Sequence, residues 1–158
     1  MSEDKITIAT VEAELPAVHQ YAERHQWQMA WNPEALRLTF DGTHPGDGRP
    51  LRIVADVTGY RGLPPSWTFE DPANGKAKLF PRPKNLRGNT GSIFHRNQRR
   101  ICAPFNRLAY KEHGGPHGNW GGPANWLQVK KNRQVRAIHL ADMLAVIVGH
   151  LHASPGVM

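Results

Sequence analysis

Two short runs of alternating apolar and polar residues, Trp27-Gln28-Met29-Ala30-Trp31 and Ala35-Leu36-Arg37-Leu38-Thr39-Phe40, are separated only by Asn32-Pro33-Glu34. A period of two puts alternate side chains on one face of a strand, and so short a connection returns the second strand antiparallel to the first. Leu51-Arg52-Ile53-Val54-Ala55-Asp56-Val57 supplies a third strand after a glycine- and proline-rich loop over residues 41–50, and Trp67-Thr68-Phe69 a short fourth. Parallel neighbours would need a crossover of about a dozen residues or more, which these intervals do not offer. The chain is therefore restricted to an antiparallel meander with one apolar face to cover.

The cover comes from helical patterns at both ends. Val11, Leu15, Val18 and Ala22 recur at the spacing of one helical face, with Pro16 requiring a start near Glu14 or a kink there. Ile138, Leu140, Ala141, Met143, Leu144, Ile147, Val148 and Leu151 form a broad apolar face over about four turns, wide enough to imply burial against the sheet. Between sheet and last helix, residues 71–91 and 114–123 are dominated by glycine, proline and polar residues and read as loop. No repeat or linker divides the 158 residues, so the expectation is one α+β domain over residues 1–158. Its order is N-terminal helix, four-stranded meander, irregular segment and buried C-terminal helix. A chain of this size buries roughly two-thirds of its unfolded surface and needs no disulfide or metal to fold.

The longest apolar run, Met143 to Val148, falls well short of the ~20 residues of a membrane span. Met1-Ser2-Glu3-Asp4-Lys5 is unlike a secretory leader, and a single cysteine cannot form an intrachain disulfide. These features predict a cytoplasmic protein with no membrane partner. The net charge of +7 is unevenly spread: residues 72–111 contain no acid but ten cations, Lys76, Lys78, Arg82, Lys84, Arg87, Arg96, Arg99, Arg100, Arg107 and Lys111. Such a field attracts an acidic protein face, a phosphate or nucleic acid, or is simply a solvated basic loop.

Cys102 lies inside that stretch, in Arg99-Arg100-Ile101-Cys102-Ala103-Pro104. Arg99 and Arg100 would favour the reactive thiolate if they point toward it, whereas a cysteine beside isoleucine also suits a small buried hydrophobe. His95, His113, His117 and Cys102 form a candidate zinc set, although His113 and His117 lie in a glycine-rich loop and no Cys-x-x-Cys knuckle supports them. His150 and His152 fall where a helix C-terminus favours positive charge, or are solvent-exposed. Trp120 and Trp126 could serve as stacking platforms for nucleic acid, but they do not interleave with the charges, and nucleic acid is not the expected partner.

Tyr60-Arg61-Gly62-Leu63-Pro64-Pro65-Ser66-Trp67-Thr68-Phe69 resembles the Tyr-Pro-x-x-Pro-Pro-x-x-x-Phe segment of ubiquitin-conjugating enzymes, keeping Tyr60, Pro64, Pro65 and Phe69 at the family spacing. His95-Arg96-Asn97 followed by Ile101-Cys102 is similar to that family's His-Pro-Asn segment and active-site cysteine, and Trp126 to the tryptophan that follows it. Arg96 replaces the central proline, Cys102 follows His95 more closely than is usual, a glycine-rich insertion lengthens the interval to Trp126, and the family's last two helices are missing. The combination resembles a divergent bacterial branch, similar to the BilB-type proteins of antiphage operons, which also encode a ubiquitin-like protein, an activating enzyme and a deconjugating metallopeptidase.

The resemblance implies a UBC-like fold and a thioester carrier. Cys102 would accept the C-terminal acyl group of a ubiquitin-like modifier from an activating enzyme and pass it to an amine of a target protein. It implies Asn97 as first candidate for the oxyanion donor, His117 or Asn119 of the inserted loop as the second, and His95 as a holder of its loop or a base. Neither cofactor nor metal enters, because ATP is spent by the activating enzyme. The alternatives are a non-catalytic binding module of the same fold and a basic nucleic-acid- or zinc-binding protein.

Overall fold

The computed structural model describes residues 3–76, 79–84, 91–129 and 137–158, which leaves Lys78 and Arg87 of the basic stretch outside the described residues. The architecture is mixed α+β. Helix α1, Glu3–Arg24, runs through Pro16 and starts well before Glu14. Its buried stripe is Thr7, Val11, Val18 and Ala22, so a threonine disguised the first turns of the apolar spacing. Pro16 is exposed, so water can satisfy the carbonyl that its missing N–H leaves without a helical partner.

Strands β1 (Gln28–Asn32), β2 (Arg37–Thr43), β3 (Pro50–Asp56) and β4 (Ser66–Glu70) form one antiparallel sheet in chain order. The register sets Met29, Phe40, Ile53 and Phe69 abreast, and likewise Trp31, Leu38, Ala55 and Trp67, so these side chains share the inner face. β2 extends three residues beyond the expected Phe40, into the stretch expected to be loop. Gly42 permits this, because a Cβ there would stand 2.5 Å from the Trp27 ring. On the outer face Arg52 grips Asp41 with two hydrogen bonds of 2.6 and 3.1 Å, and Arg37 donates to Glu70 at 2.7 Å. This lattice leaves Val54 only 3% exposed.

Helix α2, Leu140–Ala153, supplies Leu140, Met143, Leu144, Ile147, Val148 and Leu151 to the same core as the inner face of the sheet and Val11 and Val18 of α1. Ile138 does not join the apolar face: it precedes the helix and is 37% exposed. Glu14 of α1 ties the layers together. Its Oε1 accepts the backbone N–H of Leu140 at 2.7 Å, capping α2, and its Oε2 accepts the Tyr60 hydroxyl at 2.8 Å. A carboxylate at a helix N-terminus is doubly suited there, as acceptor and as negative charge. Among the described residues no helix is long and apolar enough to cross a membrane.

The chain's last residues fold back between the β2–β3 turn and residues 80–82. Val157 N–H donates to Asp47 at 2.8 Å, Arg82 N–H to the Gly156 carbonyl at 2.8 Å, and Met158 N–H to the Phe80 carbonyl at 2.8 Å. At the centre of this clasp the buried His44 ring stands 3.0 Å from the Ser154 hydroxyl and 3.9 Å from Asp47. The residue types are those of a hydrolase triad, but the protons are placed the wrong way. Gly46 N–H donates to His44 Nδ1 at 2.8 Å, so the proton sits on Nε2 and is given to Ser154, which can donate onward to the Gly156 carbonyl at 3.2 Å. A serine nucleophile needs the opposite tautomer.

Candidate active site at Cys102

Strands β5 (Phe94–His95) and β6 (Arg100–Ile101) make a two-stranded ribbon that leads into Cys102. Phe94 and Ile101 are paired across it and fully buried, with Phe94 edge-on to both Phe69 and Phe80. Cys102 N–H donates to the Ile93 carbonyl at 2.6 Å, so the backbone at the cysteine is fixed, while its side chain is half-buried.

The following residues, Ala103 to Asn106, are buried. The carboxamide of Asn106 organises them. Its Oδ1 accepts the N–H of Trp67 at 2.9 Å and that of Leu108 at 3.3 Å, and its Nδ2 donates to the carbonyls of Ile101 at 2.7 Å and Trp67 at 3.3 Å. One side chain thus completes the open edge of β4, caps the 3-10 turn Arg107–Ala109 and holds the residue before Cys102. Sequence reasoning missed it, although an asparagine just before a short helical turn is a capping signal.

Tyr60, Pro64, Pro65 and Phe69 are all buried. The Arg107 guanidinium donates to the Pro64 carbonyl at 3.1 Å and to the Thr58 carbonyl, and Arg107 N–H donates to the Pro65 carbonyl at 3.0 Å, so the Pro-Pro strap is fastened to the segment after Cys102. Trp126 is 3% exposed and its indole N–H donates to the Arg61 carbonyl at 3.0 Å. That burial removes it as a stacking platform for a nucleobase.

Two of the expected electrostatic roles are corrected. Burial pushes the Cys102 thiol up to about 11, with the positive charge of Arg100 only partly opposing it. Arg100 is occupied in donating to the Leu108 carbonyl at 3.0 Å, and Arg99 is exposed on the ribbon's turn, so neither makes the resting sulfur a thiolate. His150, expected to benefit from the end of α2, packs edge-on to Phe94 at 6.0 Å, and burial followed by the charge of Lys84 holds it below the ordinary histidine value.

The glycine-rich loop over residues 114–123 folds back onto the cysteine segment. Residue 117 pairs with residue 110, His117 N–H donating to the Ala109 carbonyl and Lys111 N–H to the His117 carbonyl, both at 3.1 Å. Gly115 makes the close approach possible, since a Cβ there would stand 2.2 Å from the Ala109 backbone. The His117 ring stacks on Trp120 with centroids 3.8 Å apart and planes 1° from parallel, and Trp120 meets Tyr110 edge-on at 5.4 Å. Tyr110 in turn donates its hydroxyl to the Pro104 carbonyl at 2.7 Å, two residues beyond Cys102.

Burial, and then the charge of His95, hold the His117 ring below the ordinary histidine value, against an opposing hydrogen bond to Asn119. His95 also accepts the N–H of Gln98 on Nδ1 at 3.2 Å, bracing the ribbon's turn. Asn97 is exposed on that turn, which leads through the two residues of β6 to Cys102. The alternative zinc set of His95, Cys102, His113 and His117 does not assemble: among the described residues no three of His, Cys, Asp and Glu are placed to hold a metal ion. Comparison of the chain with protein-family models, with curated proteins and with solved structures found no match.

Proposed function

We propose that the protein is a conjugating enzyme of UBC-like fold that carries a ubiquitin-like modifier as a thioester on Cys102. The observation that carries this reading is the joining of the Tyr60/Pro64/Pro65/Phe69 strap to the only cysteine's loop, through the Arg107 and Asn106 hydrogen bonds. Motif residues chosen from sequence and a half-buried, backbone-fixed thiol thereby form one unit, after a helix and a four-stranded antiparallel meander and before a buried helix.

In this reading the Cys102 sulfur attacks the modifier's carbonyl on the activating enzyme, the incoming thioester forms as the old one breaks, and a target amine later displaces the sulfur. Sulfur suits both halves as nucleophile and leaving group. Burial keeps the resting thiol protonated, so its proton leaves during the transfer and goes to the activating enzyme's sulfur as that thioester breaks. Asn97, first, and His117 or Asn119 are the candidate donors to the oxyanion. The exposed cations Lys76, Arg82, Lys84, Arg96, Arg99 and Lys111 would steer an acidic partner face, while Arg100 and Arg107 are spent on backbone carbonyls. A cytoplasmic setting in bacterial antiphage defence goes with this reading.

One observation favours a second reading. A thiol raised to about 11 by burial is also what a structural cysteine shows, and then the chain is a non-catalytic module of the same fold. Incubation with an activating enzyme, ATP and modifier separates them. The enzyme reading requires a reductant-labile adduct on the wild type, and for Cys102→Ser a slower-forming adduct that resists thiol reductants. Absence of any adduct supports the module.

A further inference from the structure

We propose that the clasp around His44 is an acid-sensitive latch: a second proton on the buried ring draws Asp47 from Val157 to His44 and releases residues 155–158 from residues 80–82. The inference is independent of the thioester reading.

The geometry leaves the added proton one place to go. Nε2 already carries a proton for Ser154 at 3.0 Å, so a second must sit on Nδ1, the atom that accepts the Gly46 N–H at 2.8 Å. Two donors then face each other where water does not reach, since His44 is fully buried. The acid at hand is Asp47, whose Oδ1 stands 3.9 Å from Nδ1, too far for a hydrogen bond. Its Oδ1 accepts the Arg49 N–H at 3.1 Å and its Oδ2 the Val157 N–H at 2.8 Å. Closing the gap to hydrogen-bonding distance moves the carboxylate by about 1 Å and takes it off Val157. The Nε2 bond to Ser154 is unaffected, so the chain pivots there and the residues beyond it come away. Those residues hold Arg82 and Phe80 through the Gly156 carbonyl and the Met158 N–H. Phe80 stands edge-on to Phe94 of the ribbon that leads into Cys102, so the opening adjoins the support of the candidate site.

The charged and titratable groups that face the ring are Asp47 and Arg49 of its own turn, His152 of α2, and His25, just after α1, across a cleft of about 190 Å³ lined by Thr43, Pro45 and His152. Arg82 is the charged residue of the segment that the last residues hold, and it is exposed. Asp47 is the one acid among them. Against burial, the N–H groups of Val157 and Arg49 hold its carboxyl below the ordinary carboxylate value, so it stays charged while a histidine titrates. Burial holds His44 below the ordinary histidine value, with the pull of Asp47 against it and the charge of His152 reinforcing it. The latch is therefore closed at neutral pH and opens on acidification.

The test titrates the full chain, labelled with 15N, from about pH 7.5 to about pH 4.5, and follows the His44 ring and the backbone amides by NMR. The amides of Arg82, Val157 and Met158 should lose their hydrogen-bonded shifts together, at the midpoint of the His44 ring and below the ordinary histidine value of about 6.5, while Ile53 and Leu144 of the core keep theirs. Exchange protection of the three amides, corrected for the intrinsic rate at each pH, should fall about tenfold per pH unit from about pH 6.5 to that midpoint, one proton being taken up per opening. His44→Gln takes up no proton in this range and should leave the three amides insensitive to pH. His152→Gln, an exposed change that removes the repulsion, should move the midpoint upward. Loss of the Ile53 and Leu144 signals together with the three amides would make the event global unfolding and overturn the latch. So would clasp amides that do not follow the His44 midpoint, or a folded His44→Gln that keeps the wild-type pH dependence. If His44→Gln does not fold, an unshifted midpoint in His152→Gln overturns it instead.

Discussion

Replacing Asn106 by alanine removes a side chain that is fully buried and makes four hydrogen bonds, two of them at 2.9 Å or less. The Trp67 N–H and the Ile101 carbonyl then lose their partners where water does not reach. Each such orphaned group costs about 1–3 kcal/mol, the carbonyl less because it keeps a second lone pair to share. Loss of the cap on Leu108 N–H adds about 1 kcal/mol. The expected loss is about 4 kcal/mol, a large fraction of the roughly 5–15 kcal/mol that stabilises an ordinary domain. Urea unfolding followed by tryptophan fluorescence measures it, with the midpoint falling and the slope unchanged. Asn106→Asp should not rescue: it keeps the acceptor for Trp67 N–H but turns an oxygen toward the carbonyls of Ile101 and Trp67. A loss under about 1 kcal/mol for the alanine variant would refute the claim that this carboxamide fastens β4 to the cysteine loop.

Three further outcomes follow from the same geometry. Alkylation of Cys102 in the folded protein should be slow at pH 7 and rise about tenfold per pH unit until near pH 10, as the thiolate fraction of a thiol at about 11 requires; a plateau by pH 8 would contradict the burial argument. His44 is held below the ordinary histidine value, first by burial, so it contributes stability that is present above about pH 6.5 and lost as the pH falls through its folded value. Thermal midpoints should therefore drop from pH 7 to pH 5, less steeply in His44→Gln, and an unchanged slope in that variant would remove His44 from the account. Glu14→Ala should cost about 2 kcal/mol in denaturant unfolding, from the lost cap on Leu140 and the lost partner of the Tyr60 hydroxyl, with Glu14→Gln intermediate because its amide oxygen can serve only one of the two donors.

The sheet was legible because its alternating runs and short turns leave little choice of pairing, and α2 because its apolar face is nearly continuous. The start of α1 was not, since Thr7 interrupts the apolar stripe while still being buried. The end of β2 was hidden by Gly42, which reads as loop but sits in a strand so that Trp27 can lie over it. At the candidate site, Cys102 and its strap stand out by residue type and order. The sulfur's electrostatics do not, because Arg100 is adjacent in sequence yet engaged with the Leu108 carbonyl. Asn106 and the Tyr110–Trp120–His117 chain depend on contacts between residues whose spacing follows no period, and only the folded chain brings them together.

The central claim is that Cys102 carries an acyl group. Its most direct measurement is peptide-level mass spectrometry of the protein after incubation with activating enzyme, ATP and modifier, digested at low pH to preserve thioesters. The modifier's C-terminus should appear on the peptide containing Cys102 and vanish on treatment with thiol reductant. A modifier found instead on a lysine peptide, in wild type and Cys102→Ala alike, or an unmodified Cys102 peptide throughout, would contradict it.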